Sequence, residues 1–184
     1  MVLLNQRVLI LFVIGFWANL LFFNLVEAQD KVELSGDLLR ISLPVIALGM
    51  TYAKDDQDGR YRFYKTLLAT AAITYGLKLT VAKKPPDGNG ESSFPSGHAS
   101  IAFAGAAFME RRYGWQYGLP AYIAAGYVGY TRVVSDNHYV EDVLAGAAIG
   151  VCTAYYFTIS QDNVIQVVPT FSRHGCGLQM RLTW

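Results

Sequence analysis

Apolar residues along this chain fall into long runs separated by short polar stretches, a texture that predicts helices and little else until the last 25 or so residues. Residues 8–26 follow Arg7 and are interrupted by polar side chains only at Asn19 and Asn24. A run of that length is long for a signal peptide and long enough to span a bilayer. Val26-Glu27-Ala28 has the small-x-small character of a signal-peptidase site, so a cleaved signal and an uncleaved anchor both fit, with length favouring the anchor. Further helices are predicted at 38–52, kinked at Pro44, and at 64–82, 99–111, 117–134 and 139–159. Within them, 102–107 and 145–150 are Gly and Ala apart from Phe103 and Ile149, which permits close helix packing. Three of the five, 64–82, 117–134 and 139–159, have spanning length, and each carries polar residues near an end. The charged segment 54–62 reads as a connecting loop. Asp55, Asp56 and Asp58 do not follow the spacing of a calcium-binding EF-hand. Beyond residue 160 the pattern shortens to two strands, 164–168 and 178–182, with Gly175-Cys176-Gly177 in the turn region between them. The expected fold is all-α: a compact helical bundle embedded in or anchored to a membrane, with a short β-like C-terminal tail. It divides into an N-terminal signal or anchor helix (1–28), a helical domain (29–160) and the tail (161–184).

Composition sharpens this picture. With 184 residues and no internal repeat, the chain is expected to form one domain. Charged residues make up 16%, against roughly 25% in soluble domains, and 53% of residues are hydrophobic, which points to a membrane or an unusually buried bundle. A net charge of +1 carries no nucleic-acid signal. The aromatic residues suit an interfacial belt or a buried core equally well. Two cysteines make no framework: Cys152, in an apolar helix, reads as a small core residue, and Cys176 lies in the tail.

Two short strings carry the chemistry. His138 and Asp142 stand four apart at the head of an apolar run, so on a helix they would share a face. An aspartate there could accept the imidazole Nδ1 proton and leave Nε2 unprotonated, as a nucleophilic histidine requires. Arg132, six residues upstream and before the Ser135-Asp136-Asn137 turn, could fold its planar fork of donors over the same point. Upstream, Pro95-Ser96-Gly97-His98 opens another helix, with Pro95 suited to its first turn. Gly97 leaves room for a ligand, and the first-turn amides and Ser96 hydroxyl are donors to an anion. His98 could protonate a leaving oxygen. His174, in the tail, fits neither string and reads as a surface residue.

Together these strings resemble the type 2 phosphatidic acid phosphatase superfamily, which includes vanadium haloperoxidases and bacterial acid phosphatases. Its blocks are Lys-x6-Arg-Pro, Pro-Ser-Gly-His and Ser-Arg-x5-His-x3-Asp. The second is complete at residues 95–98, and the third is present as Thr131-Arg132, His138 and Asp142, with threonine keeping the hydroxyl of serine. The first begins at Lys78, but its arginine position is Pro85, followed by Pro86. Losing one charge-assisted donor to a transition-state oxyanion costs on the order of a hundred- to a thousandfold in rate, about 3 to 4 kcal/mol. Lys84-Pro85, a pair shifted by one residue, could restore the charge without the bidentate fork. Lys83 and Lys84 read equally well as a solvated loop entrance or an interfacial anchor.

The resemblance implies that His138 attacks phosphorus to form a phosphohistidine, that Asp142 orients it and that His98 protonates the departing group. Lys78, Ser96, Gly97 and Arg132 would hold the phosphoryl oxygens. It implies no metal or other cofactor, and the chain has neither clustered carboxylates of the magnesium type nor zinc-type Cys/His spacing. The expected activity is metal-independent hydrolysis of a phosphomonoester or pyrophosphate, on a lipid or a small phosphate ester. The expected location is a bacterial-type inner membrane with the site facing the periplasm, or the periplasm itself if residues 1–28 are removed. A catalytically impaired membrane protein of the same fold and a vanadate-dependent haloperoxidase are the alternatives.

Overall fold

The computed structural model describes residues 28–88, 92–158, 164–172 and 175–183. Five helices form the body: α1 (Ala28–Ala53), α2 (Gln57–Thr80), α3 (Gly97–Tyr113), α4 (Trp115–Val134) and α5 (Val140–Phe157). The expected anchor at 8–26 and the tail residue His174 lie outside the described residues.

α3 is the axis of the bundle and packs against the other four helices. Its small residues explain this position: Ala99, Ala102, Ala104, Ala106 and Ala107 are fully buried, and neighbouring backbones approach closely. At the seam with α5, a Cβ added to Gly146 would lie 2.3 Å from the Ser96 carbonyl oxygen and one on Gly150 2.3 Å from that of Ser100. This glycine pair sets how closely the heads of α3 and α5 meet. Larger apolar residues fill the space toward the other end of α3, where Phe63, Phe108, Tyr113 and Tyr117 stack successively.

The segment 54–62 departs from the expected loop. Only Lys54–Asp56 connect α1 to α2, because the Asp56 side chain accepts the Gly59 amide at 2.8 Å and caps a helix starting at Gln57. The first turns of α2 are charged, so apolar periodicity could not reveal them. α1 likewise begins ten residues before the expected 38. By length and mean hydropathy α1 and α5 are the described helices able to cross a membrane; α2 and α4 are long enough but too polar. That replaces the sequence-based set, in which the polar start of α1 had hidden its length. Cys152 is exposed and its thiol free, not a core residue as expected, because it lies on the outward face of α5. The tail forms an antiparallel pair, β1 (Val164–Ser172) and β2 (Gly175–Thr183), in register from Val164↔Thr183 to Ser172↔Gly175 and longer than the two short strands expected.

Candidate active site

The head of α3, the end of α4 and the turn leading into α5 converge on a cavity of 420 Å³, completed by α1, α2 and the loop after α2. Five of the seven residues singled out in the sequence line it: Lys78, Gly97, His98, Arg132 and His138. Ser96 and Asp142 are fully buried behind its wall.

Local geometry explains the convergence. Ser96 is the N-cap of α3, its hydroxyl accepting the Ala99 amide, so Pro95 precedes the cap and does not occupy the first turn. The Ser96 amide donates to the Asp142 carbonyl at 2.9 Å, which ties the head of α3 to the first turn of α5. At the end of α4 the chain reverses through Asp136, whose positive φ of 55° lies in the left-handed region that short polar side chains tolerate. The Asn137 and His138 amides then both donate to the Arg132 carbonyl at 3.1 Å, which brings His138 back over Arg132.

His138 and Asp142 do not share a helix face, contrary to the spacing argument. α5 starts at Val140 with Tyr139 as its N-cap, so His138 precedes the helix. The Asp142 carboxylate accepts the Tyr139 amide at 3.0 Å, closing the cap, and lies 4.0 Å from His138 Nδ1, beyond hydrogen-bond reach. Ser93 bridges the gap: its hydroxyl donates to Asp142 and lies 3.3 Å from His138 Nδ1. Nδ1 is therefore turned toward this pair, leaving Nε2 for the cavity. Burial first, and then the nearby Lys78 ammonium, hold the His138 pKa below its ordinary 6.5 against the pull of Asp142.

Arg132 is buried, its Nη2 donating to the Glu33 carbonyl at 2.9 Å and its Nη1 lying 3.3 Å from Asp37. His98 Nε2 is 2.8 Å from Asp37 and 3.5 Å from Arg132 Nη1. Burial, followed by the Arg132 and Arg40 guanidinia, pushes the His98 pKa down to about 4, despite Asp37. Lys78 donates to the Ser92 carbonyl while the Ser92 hydroxyl returns a bond to the Lys78 carbonyl, both at 2.9 Å, which pins the loop after α2 to the helix.

Pro85 itself lines the cavity, but Lys84 is exposed and outside the lining, so the shifted Lys-Pro pair brings no charge there. Lys83, also outside the lining, reaches Asp142 at 2.5 Å and Glu141 at 2.9 Å and so ties the loop after α2 to the first turn of α5.

Sequence reasoning missed the contribution of α1. Glu33, Asp37 and Arg40 line the cavity at i, i+4 and i+7, one face of a helix whose second half, from Ile41 on, is largely apolar. Charges recurring on one face ahead of an apolar run were the available signal, since ionisable groups in such helices ordinarily face an interior site. Ser93 and Asn137 carried no comparable signal.

Residues 51–166 match the family model of the PAP2 superfamily. A lipid A 4'-phosphatase of Helicobacter pylori is 33% identical over 143 residues, covering 72% of each chain. A lipid A 1-phosphatase of Porphyromonas gingivalis is 33% identical over 105 residues, 50% of this chain and 23% of that protein. Among solved structures, that of Aquifex aeolicus LpxE superposes with a TM-score of 0.61 at 18% identity, covering 77% of this chain and 93% of the other.

Proposed function

Because this chain belongs to the PAP2 superfamily and is a phosphatase, we propose that it removes phosphate from a membrane lipid, a lipid A-type glycolipid foremost, through a phosphohistidine on His138. One observation carries the mechanism: two imidazoles, His98 and His138, line the same cavity as Lys78 and Arg132, and Nδ1 of His138 is turned away to Ser93.

His138 Nε2 attacks phosphorus, forming a P–N bond as the P–O bond to the lipid breaks, and His98 gives its proton to the departing oxygen. Water then attacks the phosphohistidine, His98 takes up the water proton, and the P–N bond breaks to release inorganic phosphate. His98 is neutral near pH 7 in the empty site, so it must gain its proton as the substrate binds; an anionic phosphate beside it raises its basicity. Arg132, Lys78 and the Gly97 amide hold the oxygens, with the Ser96 hydroxyl behind them. Cationic side chains neutralise the developing charge in this scheme, so it needs no metal ion.

The PAP2 kinship and the apolar helices α1 and α5 make the protein membrane-associated. Exposed Leu68, Leu79, Ile123 and Leu144 give the bundle an apolar exterior suited to acyl chains. The location proposed is an inner membrane with the cavity facing the periplasm, an orientation favoured by Arg7 preceding the apolar run 8–26 in the sequence.

The test is phosphate release, with chelator present, from lipid A, phosphatidate, isoprenyl pyrophosphates and soluble esters. Wild type should be active on a lipid phosphate and His138→Ala slower by at least about 10⁴-fold. Equal turnover in the two would remove the mechanism, and a preference for soluble esters would remove the lipid substrate.

A further inference from the structure

Three cations line the cavity, and two are engaged. Lys78 donates to the Ser92 carbonyl, and Arg132 is tied to Glu33 and Asp37. Arg40, partly buried on α1 one turn beyond Asp37, forms no hydrogen bond or ion pair with any described residue. A guanidinium without a partner among the described residues, in a partly buried cavity, is favourably placed to receive an anion on its fork of donors.

The charge balance points the same way. Against Arg40, Lys78 and Arg132 the cavity wall sets the carboxylates of Glu33 and Asp37. Without Arg40 the count is even, a poor environment for a dianion; with it the cavity is net cationic. Pro85 borders the same cavity, at the place where the first motif would carry its arginine.

We propose that Arg40 binds the phosphoryl oxygens of the substrate, so that α1 provides the guanidinium fork that the loop after α2 lacks. This rests on reading the cavity as a phosphate site. It also assigns α1 a direct part in the chemistry: the helix that carries the competing carboxylate of Asp37 carries the anion receptor as well. A phosphate that takes Arg132 from Asp37 would meet Arg40 on the same helix face.

The experiment uses the full chain in detergent and compares wild type, Arg40→Ala, Arg40→Lys, Pro85→Arg and the Arg40→Ala/Pro85→Arg double variant. Two readouts are taken: kcat/KM on the best lipid phosphate, and orthovanadate affinity from the shift in Tm. Arg40→Ala should lower kcat/KM on the order of a hundred- to a thousandfold and weaken vanadate binding, while Arg40→Lys recovers only part of either because it lacks the fork. Adding Pro85→Arg should restore the Arg40→Ala variant far more than it improves wild type, since both arginines would fill one role.

Wild-type kcat/KM and vanadate affinity in Arg40→Ala would overturn the proposal, as would an equal gain from Pro85→Arg in both backgrounds. Should Arg40→Ala fail to fold, Arg40→Gln, which is shorter and uncharged but keeps a polar, hydrogen-bonding end, takes its place in the same comparison. A wild type that turns over no phosphate ester, yet loses vanadate affinity on Arg40 substitution, would sink hydrolysis and sustain the role of Arg40. Full turnover in Arg40→Ala would sink Arg40 alone.

Discussion

The two ends of α3 each bury an arginine among carboxylates, and they do so to opposite effect. At the C-terminal end Asp56 accepts the Gly59 amide, two bonds from Arg112 and one from the Tyr113 hydroxyl, all between 2.6 and 2.9 Å. At the N-terminal end Arg132 meets Glu33 and Asp37 at 3.3 to 3.5 Å, and Arg40 beside them is unpaired among the described residues. The first set is saturated: four hydrogen bonds use the lone pairs of the Asp56 carboxylate. In the second, Arg132 keeps a 2.9 Å bond to the Glu33 carbonyl but holds the two carboxylates only at longer range, and it borders a cavity, where the proposed function has an oxyanion exchange for them. Short, saturated pairing marks the end without a lining role in the cavity, and longer carboxylate contacts to Arg132 mark the end proposed to bind the substrate.

That contrast can be broken at either end. The largest effect is expected from His98→Asn, which should lower kcat by on the order of 10² to 10⁴-fold while leaving Tm near the wild-type value; a large loss of Tm would show that this end, too, is structural. Arg112→Ala should do the reverse, since a buried Asp56 stripped of its partner costs about 3 to 5 kcal/mol, with activity per folded molecule unchanged. Chemical or thermal unfolding together with active-site titration reads both. A smaller effect separates the two ends by pH. His98 has a folded pKa near 4 against an ordinary 6.5, so its destabilising contribution is absent above 6.5 and grows as pH falls toward 4. Asp56 is held below its ordinary 3.8, because Arg112, Gly59 and Tyr113 outweigh the opposing effect of burial, so its stabilising contribution is complete above 3.8 and fades only at lower pH. His98→Asn should therefore flatten the decline of Tm between pH 6.5 and 4 and leave the decline below 3.8 untouched.

Legibility in the sequence differed between the ends in the same way. The cavity end was legible through the motif residues Pro95 to His98, and Arg132, His138 and Asp142, which the fold brings together there. The Asp56 end gave no sign, and its charges were read as a loop, because a cap paired with an arginine 56 residues away has no local pattern. Even within the site, the spacing of His138 and Asp142 predicted a direct pair, whereas a helix starting two residues later inserted Ser93 between them. Helix periodicity reports which residues share a face, and it cannot report on which residue a helix begins.

By itself the sequence determined the helical class and the small-residue seams that let helices touch, and it singled out two imidazoles and an arginine that line one cavity. Those are local properties, set by residue type and spacing. Only the tertiary structure decided that α1 brings Glu33, Asp37 and Arg40 to the cavity, that Lys83 turns to Asp142 while Lys84 points away, and that Pro85 borders the space a guanidinium would fill. The reason is physical: a charge acts through distance and burial, and both are fixed by helices far apart in the chain meeting around α3.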